Sequence, residues 1–512
     1  MTSRLPARTR QWIARVFLSA AAIVMPACHL PLLRQADTSA PLPASYTGAT
    51  NSEAVLVAVA KEPTGAENSA LLGVQEFYGD PALNQLIAQV MAGNRDLKIM
   101  DEEIQIAGNE VLARRGAYLP FVSFGASAGL EKPGRYTRNG AVEEQLEIAP
   151  GRRFPNPLPN YQLGLNLFMP VDIWREYRNA RDAAVQRYLA AIERRNDLVT
   201  RLIAQTAENY YRLLALDKRI ENLDQIIAIQ EKSLELARSR KAAARDTELP
   251  VQRFQAEVRR NQSEKWIVRQ EIVETENRIN VLANRPPQSV ERNPAEFENP
   301  SIRPVNLGVP AQLLVNRPDI RQAERELVAA DLDVLVARAR FFPRLDISAS
   351  VGWEAFNPRY LFVTPESLAY NLVGNLVVPI VNRAAIRADY QSANARQLQA
   401  IYNYQQTVLT AYAEVINWMS LAENSRRSIE VRREQLKALQ TSVDVATKLF
   451  QNARVEYVEV LLAQRDLLET QNTLIQTRSQ QLTALVNVYQ SLGGGNTYFL
   501  PPLLPIHPLT KK

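Results

Sequence analysis

A chain of 512 residues is long enough for several domains, yet it carries one cysteine and two histidines. That scarcity excludes a disulfide framework and leaves no Cys/His set for a metal centre. The formal net charge is +6, but four arginines fall within the first 27 residues and the remainder is close to +2, too little for the concentrated basic face of a nucleic-acid binder.

Residues 1–27 read as a signal peptide. Arg4, Arg8, Arg10 and Arg15 give a basic start, and Val16 to Met25 is an apolar run too short to span a bilayer. The only cysteine, Cys28, follows directly in Met25-Pro-Ala-Cys28. A lone cysteine is most simply structural, but this position marks it as a lipidation site at the mature N-terminus. Residues 28–80, rich in Pro, Ala, Ser and Thr, read as an extended anchored segment. Asp80-Pro81 then opens a helix over 81–117, with a break expected at Gly93-Asn94.

Strands are expected next. Over 118–171 the run Tyr161, Leu163, Leu165, Leu167, Met169 alternates with polar or small residues, and Met169-Pro-Val171 closes it. A polar loop from about 131 to 160 separates this strand from its partner. A soluble sandwich with one wet face and a membrane barrel both fit such alternation. On the barrel reading Leu163, Leu165, Leu167, Ile347, Val351 and Trp353 face lipid, and Asn166, Ser348 and Ser350 face a pore.

From 172 to 240 there is no proline and no glycine, and Leu213, Leu216, Ile220, Leu223 and Ile227 step by three and four. That spacing means long helices supercoiling on neighbours. A helical hairpin is expected over 172–284, turning near Ala244-Arg-Asp-Thr-Glu248, then a linker over 285–309.

The pattern then starts again. A helix over 310–341, a strand pair over 342–380 and a helical hairpin over 381–491 follow, the last with Val408, Tyr412, Val415, Met419 and Ala422 as its stripe. At a gap-free offset of 223, Asp96, Glu103, Arg115, Ser127 and Gly129 meet Asp319, Glu326, Arg338, Ser350 and Gly352. The chain is a tandem duplication. Residues 492–512 open on Leu492-Gly-Gly-Gly495 and continue as a Pro-rich tail. No Lys-Ser/Thr follows those glycines, so they cap a helix and hold no phosphate. No metal-ligand cluster, nucleophile elbow or dinucleotide fingerprint is present. Neither an enzyme nor a cofactor is expected.

Four strands cannot close a membrane barrel, and an open edge in lipid strands its backbone groups. If these strands lie in a membrane, the chain must oligomerise.

Four stretches carry a resemblance: Phe77-Tyr-Gly-Asp-Pro-Ala-Leu83, Asn316-Arg-Pro-Asp-Ile-Arg-Gln-Ala-Glu324, Ala337-Arg-Ala-Arg-Phe-Phe-Pro343 and Leu492-Gly-Gly-Gly495. With the duplication, they resemble the TolC-type outer-membrane efflux channels of the OprM/NodT-like lipoprotein subfamily. The resemblance implies a fold that is mainly α with a small β part: a homotrimer whose twelve-stranded transmembrane β-barrel continues as a long coiled-coil α-helical barrel. It implies an outer-membrane, lipid-anchored protein reaching into the periplasm. Its partners would be a periplasmic membrane-fusion adaptor and an inner-membrane pump of the RND type, with no nucleic acid. The function would be passive exit of drugs or small toxic compounds, with a protein-export duct or a pore-free coiled-coil scaffold as alternatives.

The resemblance also points to the second tip. Its members carry Leu-Asp-Val-Leu-Asp-Ala-Gln there, and this chain reads Val458-Glu-Val-Leu-Leu-Ala-Gln464. One acidic ring of Glu459 above an apolar ring of Leu462 is expected at the periplasmic entrance. Arg454 and Arg245 are the expected partners of Glu456, Glu459 or Asp246 across neighbouring hairpins, with Glu248 beside them. Solvated charge at a turn is the simpler reading of each residue alone.

Overall fold

The structure is a computed structural model and describes residues 30–39, 42–43, 46, 68–381, 383–452 and 454–501. Helices α1 (Pro81–Gly93) and α2 (Arg95–Gly116) lead into strand β1 (Phe121–Glu131), and β2 (Leu158–Val171) returns. Helix α3 (Glu176–Ala242) runs away from the strands and α4 (Glu248–Leu282) comes back. The second half repeats this order: α5 (Pro318–Ala339), β3 (Arg344–Ala355), β4 (Leu368–Val377), α6 (Ala384–Gln451) and α7 (Tyr457–Ser491). Helices α3 and α6 hold 67 and 68 residues, about 100 Å each at 1.5 Å per residue.

Local chemistry sets the boundaries. The Asp80 carboxylate accepts from the Ala82 amide at 2.9 Å and caps α1, with Pro81 at the first helical position. Asn94 accepts from the Leu97 amide at 3.1 Å and starts α2. At Gly93 a Cβ would collide with the Ala283 backbone, which explains glycine at the break.

Two stretches hold more structure than their composition suggests. In the loop after β1, Thr137 caps a helical turn, Arg138–Glu143, and a small hairpin pairs Glu147–Ala149 with Arg152–Arg153. The end of the anchored segment is core rather than surface: Phe77 and Tyr78 are fully buried, and Phe77 stacks on Tyr489 at 4.0 Å.

The strands form one antiparallel sheet in the order β1-β2-β3-β4. Directly opposed residues share a face, and the register keeps the faces separate. Phe124, Leu165, Val351 and Tyr370 lie in one row, and Ser123, Asn166, Ser350 and Asn371 in a row on the opposite face. Among the described residues no strand pairs with either edge of the sheet. In the upper body, helices neighbour one another as α2-α3-α5-α6; toward the tips the order is α4-α3-α7-α6. The heptad positions Leu213, Leu223, Val408, Val415, Val443 and Phe450 are buried in these seams.

An N-terminal strap lies along α6. Leu30 and Leu33 pack at Phe341 and Tyr390, near the foot of the sheet. Asn394 brackets the Arg34 backbone, accepting from its amide at 3.0 Å and donating to its carbonyl at 2.9 Å. Tyr46 stacks on Tyr412 at 5.6 Å.

Candidate functional site: the sheet wall and the helical tips

The polar face of the sheet is its concave face. Gly125, Gly164, Gly352 and Ala369 lie directly opposite one another across all four strands. A Cβ on Gly164, pointing to the polar side, would come within 2.6 Å of the Val351 carbonyl oxygen and 2.9 Å of the Gly352 Cα. Strands approach that closely only where a sheet coils over that face, and glycine permits it. Above this row Glu354 accepts from the Asn160 and Gln162 amides at 2.8 and 2.9 Å. Below it lie the amides and hydroxyls of Ser123, Asn166, Ser350 and Asn371. The opposite face exposes Phe124, Leu165, Val351, Tyr370 and Leu372. A wet concave face and an apolar convex face make the wall of a water-filled membrane pore.

The other end of the site is the turn of each helical hairpin. Helix α3 stops where Ala244 takes a positive φ of 52° and the Arg245 amide bonds back to the Arg240 carbonyl at 2.9 Å, satisfying an orphan carbonyl of the last turn. The second tip repeats the bond, from the Arg454 amide to the Leu449 carbonyl, also at 2.9 Å.

Arg240 joins the two tips, and sequence reading did not single it out. Its guanidinium pairs with Asp246 at 2.6 Å, donates to the Phe450 carbonyl at the end of α6, and lies 4.6 Å from the centre of the Phe450 ring. Glu248 pairs with Lys241 and accepts from Gln252 at 2.7 Å; those bonds hold its carboxyl below its ordinary value. Asp246 and Glu248 are therefore engaged within their own hairpin, and Arg454 and Arg245 are not their partners inside one chain. Arg245, Arg454, Glu456 and Glu459 are exposed and form no ion pair among the described residues. Glu459 and Leu462 sit three positions apart on α7, on one open face. Behind the tips Leu234, Ala237, Val251, Phe254, Phe450 and Val460 form a buried cluster.

At the level of α1 and the start of α5, three of the four quoted stretches meet, while residues 337–343 pack at the foot of the sheet. Arg317 is buried, donates to the Ser491 carbonyl at 2.9 Å, and pairs with Asp319 at 2.7 Å and Glu414 at 2.9 Å. Gly493, at φ 91°, lies so close to the Asn316 carbonyl that a Cβ would meet it at 2.5 Å. Burial raises the carboxyl of neighbouring Asp197, against the pull of Arg201.

Among the described residues no group of His, Cys, Asp or Glu is placed to hold a metal ion, and no helix is long and apolar enough to cross a membrane. Cys28, the leader and both histidines, His29 and His507, lie outside the described residues.

The family model for outer membrane efflux proteins matches residues 86–285 and 309–494. The toluene efflux pump outer membrane protein TtgI of Pseudomonas putida is 26% identical over 428 residues, covering 83% of this chain and 88% of that protein. The probable outer membrane lipoprotein SilC of Salmonella typhimurium is 24% identical over 434 residues, covering 83% and 88%. A crystal structure of CusC superposes with a TM-score of 0.78 at 21% identity, over 91% of this chain and all of that one. With its duplicated strand-and-hairpin body and its wet, concave sheet face, the chain belongs to the outer membrane efflux protein family.

Proposed function

We propose that three copies close a twelve-stranded barrel and a helical barrel beneath it, as a passive exit duct for small toxic compounds. A periplasmic adaptor docks on this duct, and an inner-membrane pump of the RND type drives it. One observation carries this reading: a four-stranded sheet, wet on its concave face and apolar on its convex face, with both edges open. Four strands are too few to close, and open edges are not tolerated in lipid. The name of TtgI associates one relative with an efflux pump, and that of SilC associates another with an outer-membrane lipoprotein.

Cys28 carries the acyl anchor. Its position two residues before Leu30 supports this, because Leu30 packs at the foot of the sheet. Intact mass of the purified protein tests it; a mature chain that begins elsewhere or carries no lipid refutes it.

At the periplasmic end the gate comprises Glu459, Leu462, Glu456, Arg454, Arg245, Asp246 and Glu248. Three copies of Glu459 form an acidic ring and three of Leu462 an apolar one. Exposed pairs among the tips contribute about 0–1 kcal/mol each, so only a ring of them holds the tips together. Deleting the gene and measuring susceptibility to a panel of toxic compounds tests the duct; unchanged susceptibility to every compound removes the efflux reading. Single-channel conductance in a planar bilayer tests the gate. Arg454→Ala and Glu459→Ala are each expected to raise it. If both leave it unchanged while Leu462→Ala opens the channel, closure is apolar.

A further inference from the structure

The two helical hairpins of one chain are copies at an offset of 209. Ser233-Leu-Glu-Leu-Ala237 of α3 corresponds to Ser442-Val-Asp-Val-Ala446 of α6. Val251, Gln255, Glu257, Val258 and Gln262 of α4 correspond to Val460, Gln464, Asp466, Leu467 and Gln471 of α7. The capping bonds obey the same offset, since Arg245 to Arg240 becomes Arg454 to Leu449.

Near the tips the helices neighbour one another as α4-α3-α7-α6. The middle seam, α3 against α7, is therefore complete within one chain. Its centre holds a buried polar pair: Gln464 Nε2 donates to Ser233 Oγ at 2.9 Å, with Gln464 0% and Ser233 4% exposed. Applying the offset to both partners turns α3 into α6 and α7 into α4, the two outermost helices. It turns Ser233 into Ser442 and Gln464 into Gln255, with both residue types kept. Ser442 is exposed in the single chain and Gln255 half-buried.

The apolar positions follow the same rule. Ile475 and Leu482 of α7 are 8% and 0% exposed. Their counterparts on α4, Trp266 and Val273, are 68% and 48% exposed. A seam position that stays apolar, but uncovered, is an interface waiting for its partner. The occupant that carries the matching surface is a second copy of this chain.

We infer that the seam between copies reproduces the seam within each chain, with Gln255 of one copy donating to Ser442 of the next. This rests on the three-copy reading above and assigns its register. In a ring of three, the internal and external seams alternate, giving six equivalent Gln–Ser bonds around one level of the helical barrel. A buried polar pair in a heptad seam fixes which turn packs on which, because a slip of one turn leaves both groups buried without partners.

Cross-linking tests this on the full chain in detergent. Gln255→Cys with Ser442→Cys, bridged by a short bifunctional thiol reagent, is expected to give covalent dimers and trimers on a denaturing gel. Gln464→Cys with Ser233→Cys is expected to bridge within one chain and stay at monomer mobility. Arg259→Cys with Ser442→Cys, one turn out of register, is expected to cross-link several-fold less. Equal yields from the shifted pair, or bridging of Gln255→Cys and Ser442→Cys inside one chain, overturn the inference. Alanine variants give a second reading. Gln255→Ala and Ser442→Ala are each expected to lower the temperature at which the oligomer dissociates, and the double variant to lower it no further than the worse single one. Additive losses overturn the inference. The native mass of the unsubstituted protein reports the three-copy reading separately: one chain refutes that reading, whereas three chains with the wrong cross-links refute only this seam.

Discussion

The belt around Arg317 and the tips around Arg240 each hang on one arginine that ties distant parts of the chain together, and they differ in everything around it. At the belt, the Arg317 guanidinium is enclosed, both of its carboxylate partners and its carbonyl partner are in place, and glycine and aromatic contacts fix the backbone on either side. At the tips, Arg240 closes one contact between hairpins, and Arg245, Arg454, Glu456 and Glu459 beyond it are exposed and form no ion pair among the described residues. The belt is built to hold one arrangement. The tips set a buried apolar cluster behind charges that are left open to partners outside the chain.

The largest expected effect breaks the belt. Arg317→Ala leaves Asp319, Glu414 and the Ser491 carbonyl without their shared donor. Removing one partner of a fully buried ion pair costs about 3–5 kcal/mol; here the Asp319 and Glu414 side chains keep 28% and 43% exposure, so the cost falls below that range. Loss of folded oligomer from the outer-membrane fraction is the expected readout. A variant that accumulates and resists heat like the parent would show that the packed glycines and aromatics suffice.

Arg240→Ala should act differently. A hydrogen bond to a charged group is worth about 1.5–3 kcal/mol, and here that loss falls on one contact between hairpins. The expected result is a higher single-channel conductance with near-normal oligomer yield. Loss of oligomer in step with Arg317→Ala would erase the distinction between the two regions.

The smallest expected effect is on pH response, and the two regions should respond with opposite sign. Asp197, at the belt, is raised by burial. Its contribution is present when it is protonated, below the ordinary aspartate value, and is lost as pH rises through its folded value. Glu248, at the tips, is lowered by Lys241 and then Gln252. Its contribution is present above the ordinary glutamate value, about 4.3, and is lost as pH falls through its lowered one. Acidification should therefore firm the belt as pH falls toward the ordinary aspartate value, and loosen the tips once pH falls below the ordinary glutamate value. Asp197→Asn should flatten the fall in heat stability as pH rises from acid toward neutral. An unchanged slope would mean that burial of that carboxyl has no consequence for stability.

Much of this was legible in the sequence wherever a physical period repeats. The alternation around Leu163, Leu165 and Leu167 and the three-four spacing around Leu213 and Val408 each encode an element directly. The stretches containing Arg317 and Gly493 were visible as motifs, but their meeting was not, because Gly493 lies 177 positions from Asn316 in the chain. Arg240 was harder still. It sits among the other basic residues of α3, and its carbonyl partner, that of Phe450, lies 210 positions away. The charges at the tips were readable as charges. Their pairing within one hairpin depended on how sharply the chain turns at Ala244. The turn Arg138–Glu143 was missed because a helix of 6 residues is too short to show a period.

The row Gly125, Gly164, Gly352 and Ala369 has a further meaning for how such a conduit can change over time. On the two inner strands the wall there is bare main chain, and at Gly164 and Gly352 even one methyl group would strike the neighbouring strand. Mutation has little to work with at Gly164 and Gly352, since neither position can try out a side chain for a preferred cargo. Any change in how the wall meets its cargo is left to the side chains at neighbouring levels, while these two positions stay open.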